Sequence, residues 1–239
     1  MNTTYKSTFL ALLLMGAPHV LMATTLSCGP NICYQYNEIQ SAIALFGTPV
    51  LIGDSMRFLP SVFRAESNNS TGSVSTASTS ANFIFDQVWA TTSGAEIGSV
   101  QVLEAGDYSI SNDNGGVPDT VGVTLSTRVG DNSSSEFVID NVSFIANGDS
   151  SGARIWALQG NAINPASAFT ASAQNISIQI QNTLTATTDE FGGDAWIQKK
   201  FTVVVGTEVP PPVPLPPSLP LLLTGLGMLA VNLRRRIAG

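Results

Sequence analysis

From Asp119 to Gly130 the chain reads DTVGVTLSTRVG, with Val121, Val123, Leu125, Thr127 and Val129 on every second position. A period of two places these side chains on one face of an extended strand, whereas a helix would scatter them around its axis. Nearby, Val138, Asp140, Val142 and Phe144 alternate with Phe137, Ile139 and Ile145. The same reading fits Pro49 to Ile52, Met56 to Phe58, Val62 to Ala65, Ala81 to Thr91, Ile97 to Leu103, Tyr108 to Ser111, Ile155 to Leu158, Ile176 to Ile180 and Phe201 to Val205. Each is rich in β-branched or aromatic residues. Asn114-Gly115-Gly116, Gly130-Asp131-Asn132, Asn147-Gly148-Asp149 and Gly192-Gly193-Asp194 punctuate them as turns. Many short strands with little helical period predict an all-β chain, a single antiparallel β-sandwich of jelly-roll or immunoglobulin-like type. Glu38 to Phe46 is open between a helical stripe and a bent edge strand. Ser67 to Ser80 is polar and of low complexity, and reads as a loop running into a strand.

The ends differ from this body. Residues 1–23 carry one early positive charge at Lys6, an apolar run from Phe9, and a small residue at Ala23, the pattern of a cleaved export signal. The β domain is expected over 24–207, a proline-rich linker over 208–218, and a membrane helix with a basic tail over 219–239. The apolar run Leu219 to Leu233 ends in Arg234, Arg235 and Arg236, which favour a cytoplasmic C-terminus. From Pro220 to Arg236 a helix reaches roughly 25 Å, slightly short of a bilayer core of about 30 Å, a gap that snorkelling arginines or local thinning covers.

Residues 210 to 239 resemble the PEP-CTERM sorting tail of bacteria that make exopolysaccharide: a short proline motif, an apolar helix and a basic cluster. Val213, Pro214, Leu215 and Pro216 stand where the family carries Pro-Glu-Pro, as a VPLP variant. The resemblance implies processing by exosortase, a membrane protease, and therefore export across the cytoplasmic membrane, a transient anchor, and release or transfer to the cell surface or matrix. A permanent single-span anchor is the alternative, with the same topology. The body carries a weaker likeness to domains found with this tail, in GTPVLIGDSMRFLP, EAGDYSI and WIQKKF. That family brings no established activity.

All 17 acidic residues lie between Glu38 and Glu208, whereas four of the 10 basic ones, Lys6 and Arg234 to Arg236, lie in the end segments. An acidic body lacks the basic footprint that phosphate binding needs, so nucleic acid is not an expected partner. The one histidine, His19, lies in the expected export signal, so the body has none for a Ser-His-Asp system or a histidine-held metal. Cys28 and Cys33 frame a Gly-Pro turn, and in an exported chain they read as a structural disulfide. A lipid on Cys28 is the alternative, although Thr25 sits where lipoprotein signals carry leucine.

No cofactor is expected. The oxygen-rich turn containing Asp113 and Asn114, with Asp119 beyond it, is a weak calcium candidate; Asp189, Glu190 and Asp194 form a similar group. Both read first as turns that use Asn and Gly for positive φ. Trp89, Trp156 and Trp196 could form a platform for sugar rings if exposed on one face. Lys199 and Lys200 read as a strand edge protected by charge. The function expected is therefore an exported surface or exopolysaccharide-matrix protein with a structural or adhesive role and no catalysis. A carbohydrate-binding module, with or without calcium, is the first alternative, and a carboxylate-based glycoside hydrolase the second.

Overall fold

The computed structural model describes residues 24–38, 41–111, 118–148, 152–189 and 191–210. The export signal, Asp113, Asn114, Glu190, the Val213–Pro216 motif, the apolar run and Arg234 to Arg236 lie outside the described residues. Among the described residues no helix is long and apolar enough to cross a membrane.

Among the described residues, twelve strands and two single-turn helices follow in the order β1 (Thr24–Cys28), β2 (Ile32–Asn37), α1 (Ile43–Phe46), β3 (Val50–Ile52), β4 (Ser55–Phe58), β5 (Arg64–Asn68), β6 (Ser75–Ala90), β7 (Glu96–Ser111), β8 (Thr120–Asp131), β9 (Phe137–Asn147), β10 (Arg154–Gln159), α2 (Pro165–Ala168), β11 (Asn175–Thr188) and β12 (Asp194–Val209). They form two antiparallel sheets. The first runs β1-β2-β6-β11-β8-β9 and the second β10-β7-β12-β4-β3, with β5 pairing β12. The described residues are all-β, as their period of two predicts.

The inner faces of the two sheets share one core. Phe58 on β4 meets Phe83 and Phe85 on β6 with ring centroids 4.7 and 6.2 Å apart. Phe46, at the end of α1, fills the space beside Phe58, Phe63 and Phe83. Leu125, Ile176, Ile178, Ile180 and Leu184 continue the apolar layer on β8 and β11.

Several boundaries differ from the sequence reading. Glu38 to Phe46 contributes one helical turn, Ile43–Phe46, whose Phe46 is buried. Ser67 to Ser80, expected as a loop running into a strand, is the connection between Asn68 and Ser75 followed by the start of β6. Its serines and threonines extend β6, because hydroxyl pairs across to β11 replace apolar packing on the outer face: Thr76 with Thr187 at 3.2 Å and Ser80 with Thr183 at 2.8 Å. Two expected strands, Ile97 to Leu103 and Tyr108 to Ser111, are one strand, β7. β12 runs two residues into the expected linker, because Glu208 and Val209 still pair with Ile97 and Glu96; Pro210, which has no N–H to donate, follows.

At the other end, Cys28 and Cys33 face each other across the β1–β2 hairpin and form a disulfide. Its turn docks on the β3–β4 turn, where the Asp54 carboxylate accepts from the backbone N–H groups of Asn31 at 2.7 Å and Ile32 at 3.0 Å. Gly29 has no room for a side chain there, since a Cβ would stand 2.2 Å from the Gly53 carbonyl oxygen.

Candidate functional site

The least expected chemistry lies between the sheets. On β12, Ala195, Ile197 and Lys199 point inward, and after Lys200 the inward positions become Thr202 and Val204. The switch is a β-bulge. Lys199 pairs with Gly106 and Phe201 with Ala105, so Lys200 is the extra residue, exposed, and the inward parity changes there. Lys199 is thus fully buried and no part of a charged edge, which corrects the reading of the Lys199-Lys200 pair. β12 also has β7 on one side and β4 and β5 on the other, so it is not an edge strand.

Beside Lys199, β7 sends Val100, Val102 and Glu104 into the same core. From the opposite sheet, β11 contributes Ile180, Asn182 and Leu184. The three polar members meet. Lys199 Nζ donates to Glu104 Oε1, and Asn182 Nδ2 donates to Glu104 Oε2 at 2.5 Å. One carboxylate therefore holds an amine from its own sheet and a carboxamide from the facing one. Glu104 is 2 % exposed, and Lys199 and Asn182 are 0 % exposed.

Aromatic rings complete the enclosure. Lys199 Nζ lies 4.4 Å from the centroid of Phe46 and 5.3 Å from that of Phe63. Burial holds the Lys199 amine below the ordinary lysine range; the charge of Glu104 and its hydrogen bond oppose this without cancelling it. A buried amine hydrogen-bonded to a carboxylate has the composition of an activated nucleophile. Asn182 Oδ1 has no hydrogen-bond partner among the described residues.

The other candidates resolve differently. Asp119 is buried at the start of β8, where its Oδ1 accepts from the backbone N–H of Asp189 at 2.7 Å. It thereby ties the start of β8 to the end of β11, and among the described residues no group of three His, Cys, Asp or Glu could hold a metal ion. Asp194 is half-buried, and its carboxyl is pushed up by burial and by Glu66, against the pull of Arg64.

The tryptophans do not share an exposed face. Trp156 is in the core, Trp89 is half-buried on β6 of the first sheet, and Trp196 is half-buried on β12 of the second beneath the Arg64 guanidinium at 4.4 Å. Surface hollows next to Trp89 and Gly94, around Ala157 and Phe201, and between Arg128 and Gln179 are each lined by at most one carboxylate residue, Glu104, whose side chain turns into the core. No protein-family model matches the chain, and no curated protein matches it significantly.

Lys199, Glu104 and Asn182 were missed for separable reasons. Glu104 begins Glu-Ala-Gly-Asp, which reads as a turn, and the bulge at Lys200 hides which of two adjacent lysines faces inward. Asn182 carried the usable signal: it occupies the apolar parity of β11, between Ile180 and Leu184.

Proposed function

We propose that this chain is an exported, exosortase-processed protein of the cell surface or exopolysaccharide matrix, with a structural or adhesive role. The observation that carries the reading is the order of parts at the C-terminus: Val213-Pro214-Leu215-Pro216, then the apolar run Leu219 to Leu233, then Arg234 to Arg236. The acidic, serine- and threonine-rich body between that tail and the N-terminal signal pattern supports it, as does the disulfide that closes the β1–β2 hairpin at the edge of the first sheet. We read the two facing sheets as one β-sandwich. The chain crosses from sheet to sheet at β2–β3, β5–β6, β6–β7, β7–β8, β9–β10, β10–β11 and β11–β12, which supports the jelly-roll form over the immunoglobulin-like one.

An adhesive role has support in the outer face of the edge strand β9, where Phe137, Ile139 and Ile145 are exposed in one row. Neither a sugar-ring platform nor a carboxylate pair in a cleft has an observation in its favour. The test is the intact mass and cell fraction of the native protein in hosts with and without exosortase. Loss of the tail near Val213 to Pro216 only where the protease is present supports the reading. A full-length C-terminus held in the membrane of both hosts overturns it.

A further inference from the structure

An ion pair alone accounts for Lys199 and Glu104, since buried charges are found paired. It does not account for the third member. Asn182 is brought by the opposite sheet onto the same carboxylate, between the buried Ile180 and Leu184. The carboxylate's two oxygens hold the lysine amine and the asparagine carboxamide nitrogen, one on each.

We propose that Lys199 and Asn182 are joined by an intramolecular isopeptide bond that forms within the folded core, with Glu104 carrying the proton. The order of events follows from the contacts. The step begins with a proton passing from the Lys199 amine to Glu104, its hydrogen-bond partner. The Nζ lone pair adds to Asn182 Cγ, Glu104 delivers its proton to Nδ2, and the carboxylate so freed takes the proton that Nζ gives up. The Cγ–Nδ2 bond then breaks, and the leaving ammonia carries that last proton away from Glu104 as ammonium. One C–N bond forms, one C–N bond breaks, Glu104 returns to the carboxylate, and nothing is oxidised or reduced.

Two features of the core serve this step. Phe46 and Phe63 cover the amine, keeping out the water that would protonate it. Placement within one folded core supplies the effective concentration, up to about 10⁵–10⁸ M for well-oriented groups, that an unactivated carboxamide needs. The product ties β11 in the first sheet to β12 in the second, whereas the Cys28–Cys33 disulfide lies within the first sheet alone.

The experiment is mass spectrometry of the folded full-length chain after denaturation, before and after cleavage at glutamate. Glu190 is the only glutamate between Asn182 and Lys199, so complete cleavage yields fragments 137–190 and 191–208. The expected result is an intact mass one ammonia below that of the same processed sequence, with these two fragments still joined. Glu104→Gln and Lys199→Met are each expected to show no loss and to release the fragments separately. Separate fragments from the wild-type chain overturn the bond, even if ammonia has been lost elsewhere. Fully joined fragments in Glu104→Gln overturn the role given to Glu104. Should either variant fail to fold, the wild-type fragments still decide whether the bond exists.

Discussion

Phe58→Ala tests whether the two sheets meet as described. Phe58 is 0 % exposed and comes from a strand of only four residues, Ser55–Phe58, yet its ring touches both the facing sheet and α1. Its centroid lies 4.7 Å from Phe83, 5.8 Å from Phe46 and 6.2 Å from Phe85. Truncating a buried phenylalanine costs about 3–5 kcal/mol through lost transfer energy and the cavity left behind. The upper half of that range applies, because Phe83 and Phe85 are fixed in a long ladder with β11 and cannot close on the space. At about 2–4 °C per kcal/mol for a domain of this size, the midpoint of thermal unfolding should fall by roughly 8–20 °C. Urea unfolding followed by tryptophan fluorescence should show a lower midpoint at unchanged slope. The adjacent Leu59 is 57 % exposed, so Leu59→Ala is the control and should stay within about 0.5 kcal/mol of wild type. A loss below about 1 kcal/mol for Phe58→Ala, or an equal loss for Leu59→Ala, would refute the enclosure of this ring between the sheets.

Replacing both Cys28 and Cys33 with serine should cost about 2 kcal/mol on the loop-entropy model, read as a lower urea midpoint that reductant no longer changes. Gly106→Ala should cost at least the upper end of about 1–3 kcal/mol, since a Cβ there would stand 1.9 Å from the Gln198 carbonyl oxygen; soluble yield and melting temperature report it. Asp131 and Glu136 are both held below the ordinary carboxylate range, Asp131 first by the backbone N–H of Ser133 and Glu136 first by the hydroxyl of Thr170. A lowered native pKa gives stability that is present above the unfolded value and is lost as pH falls through the native one. Stability should therefore decline on the acid side of the carboxylate range, and Thr170→Val should flatten that decline in acid-unfolding curves.

Much of the β architecture was legible because one face of each sheet is wet and the other dry, which writes a period of two into the residues. Val121 to Val129 shows it plainly: Val121, Val123, Leu125, Thr127 and Val129 all face the core. The reading failed where tertiary contacts replaced hydrophobicity. β6 begins in Ser and Thr residues whose hydroxyls pair with β11, and the exposed edge strand β1 is joined to β2 by a disulfide. The site failed for a geometric reason. Had β12 been regular, Val204 and Thr202 in the core would have put Lys200 there and Lys199 outside; one extra residue reverses this.

The position of β12 also decides how the protein answers to force. Its partner ladder with β7 runs from Asp194 opposite Ser111 to Val209 opposite Glu96, and β4 and β5 flank its other side. A tether attached beyond Val209 pulls along this strand, so the hydrogen bonds on both flanks share the load in shear instead of opening one after another. Forced unfolding is governed by the rate of crossing the unfolding barrier, so such a grip slows failure whatever the equilibrium stability. Stretched from its C-terminus, the molecule is built to hold where a chain ending on the edge strand β9 would peel.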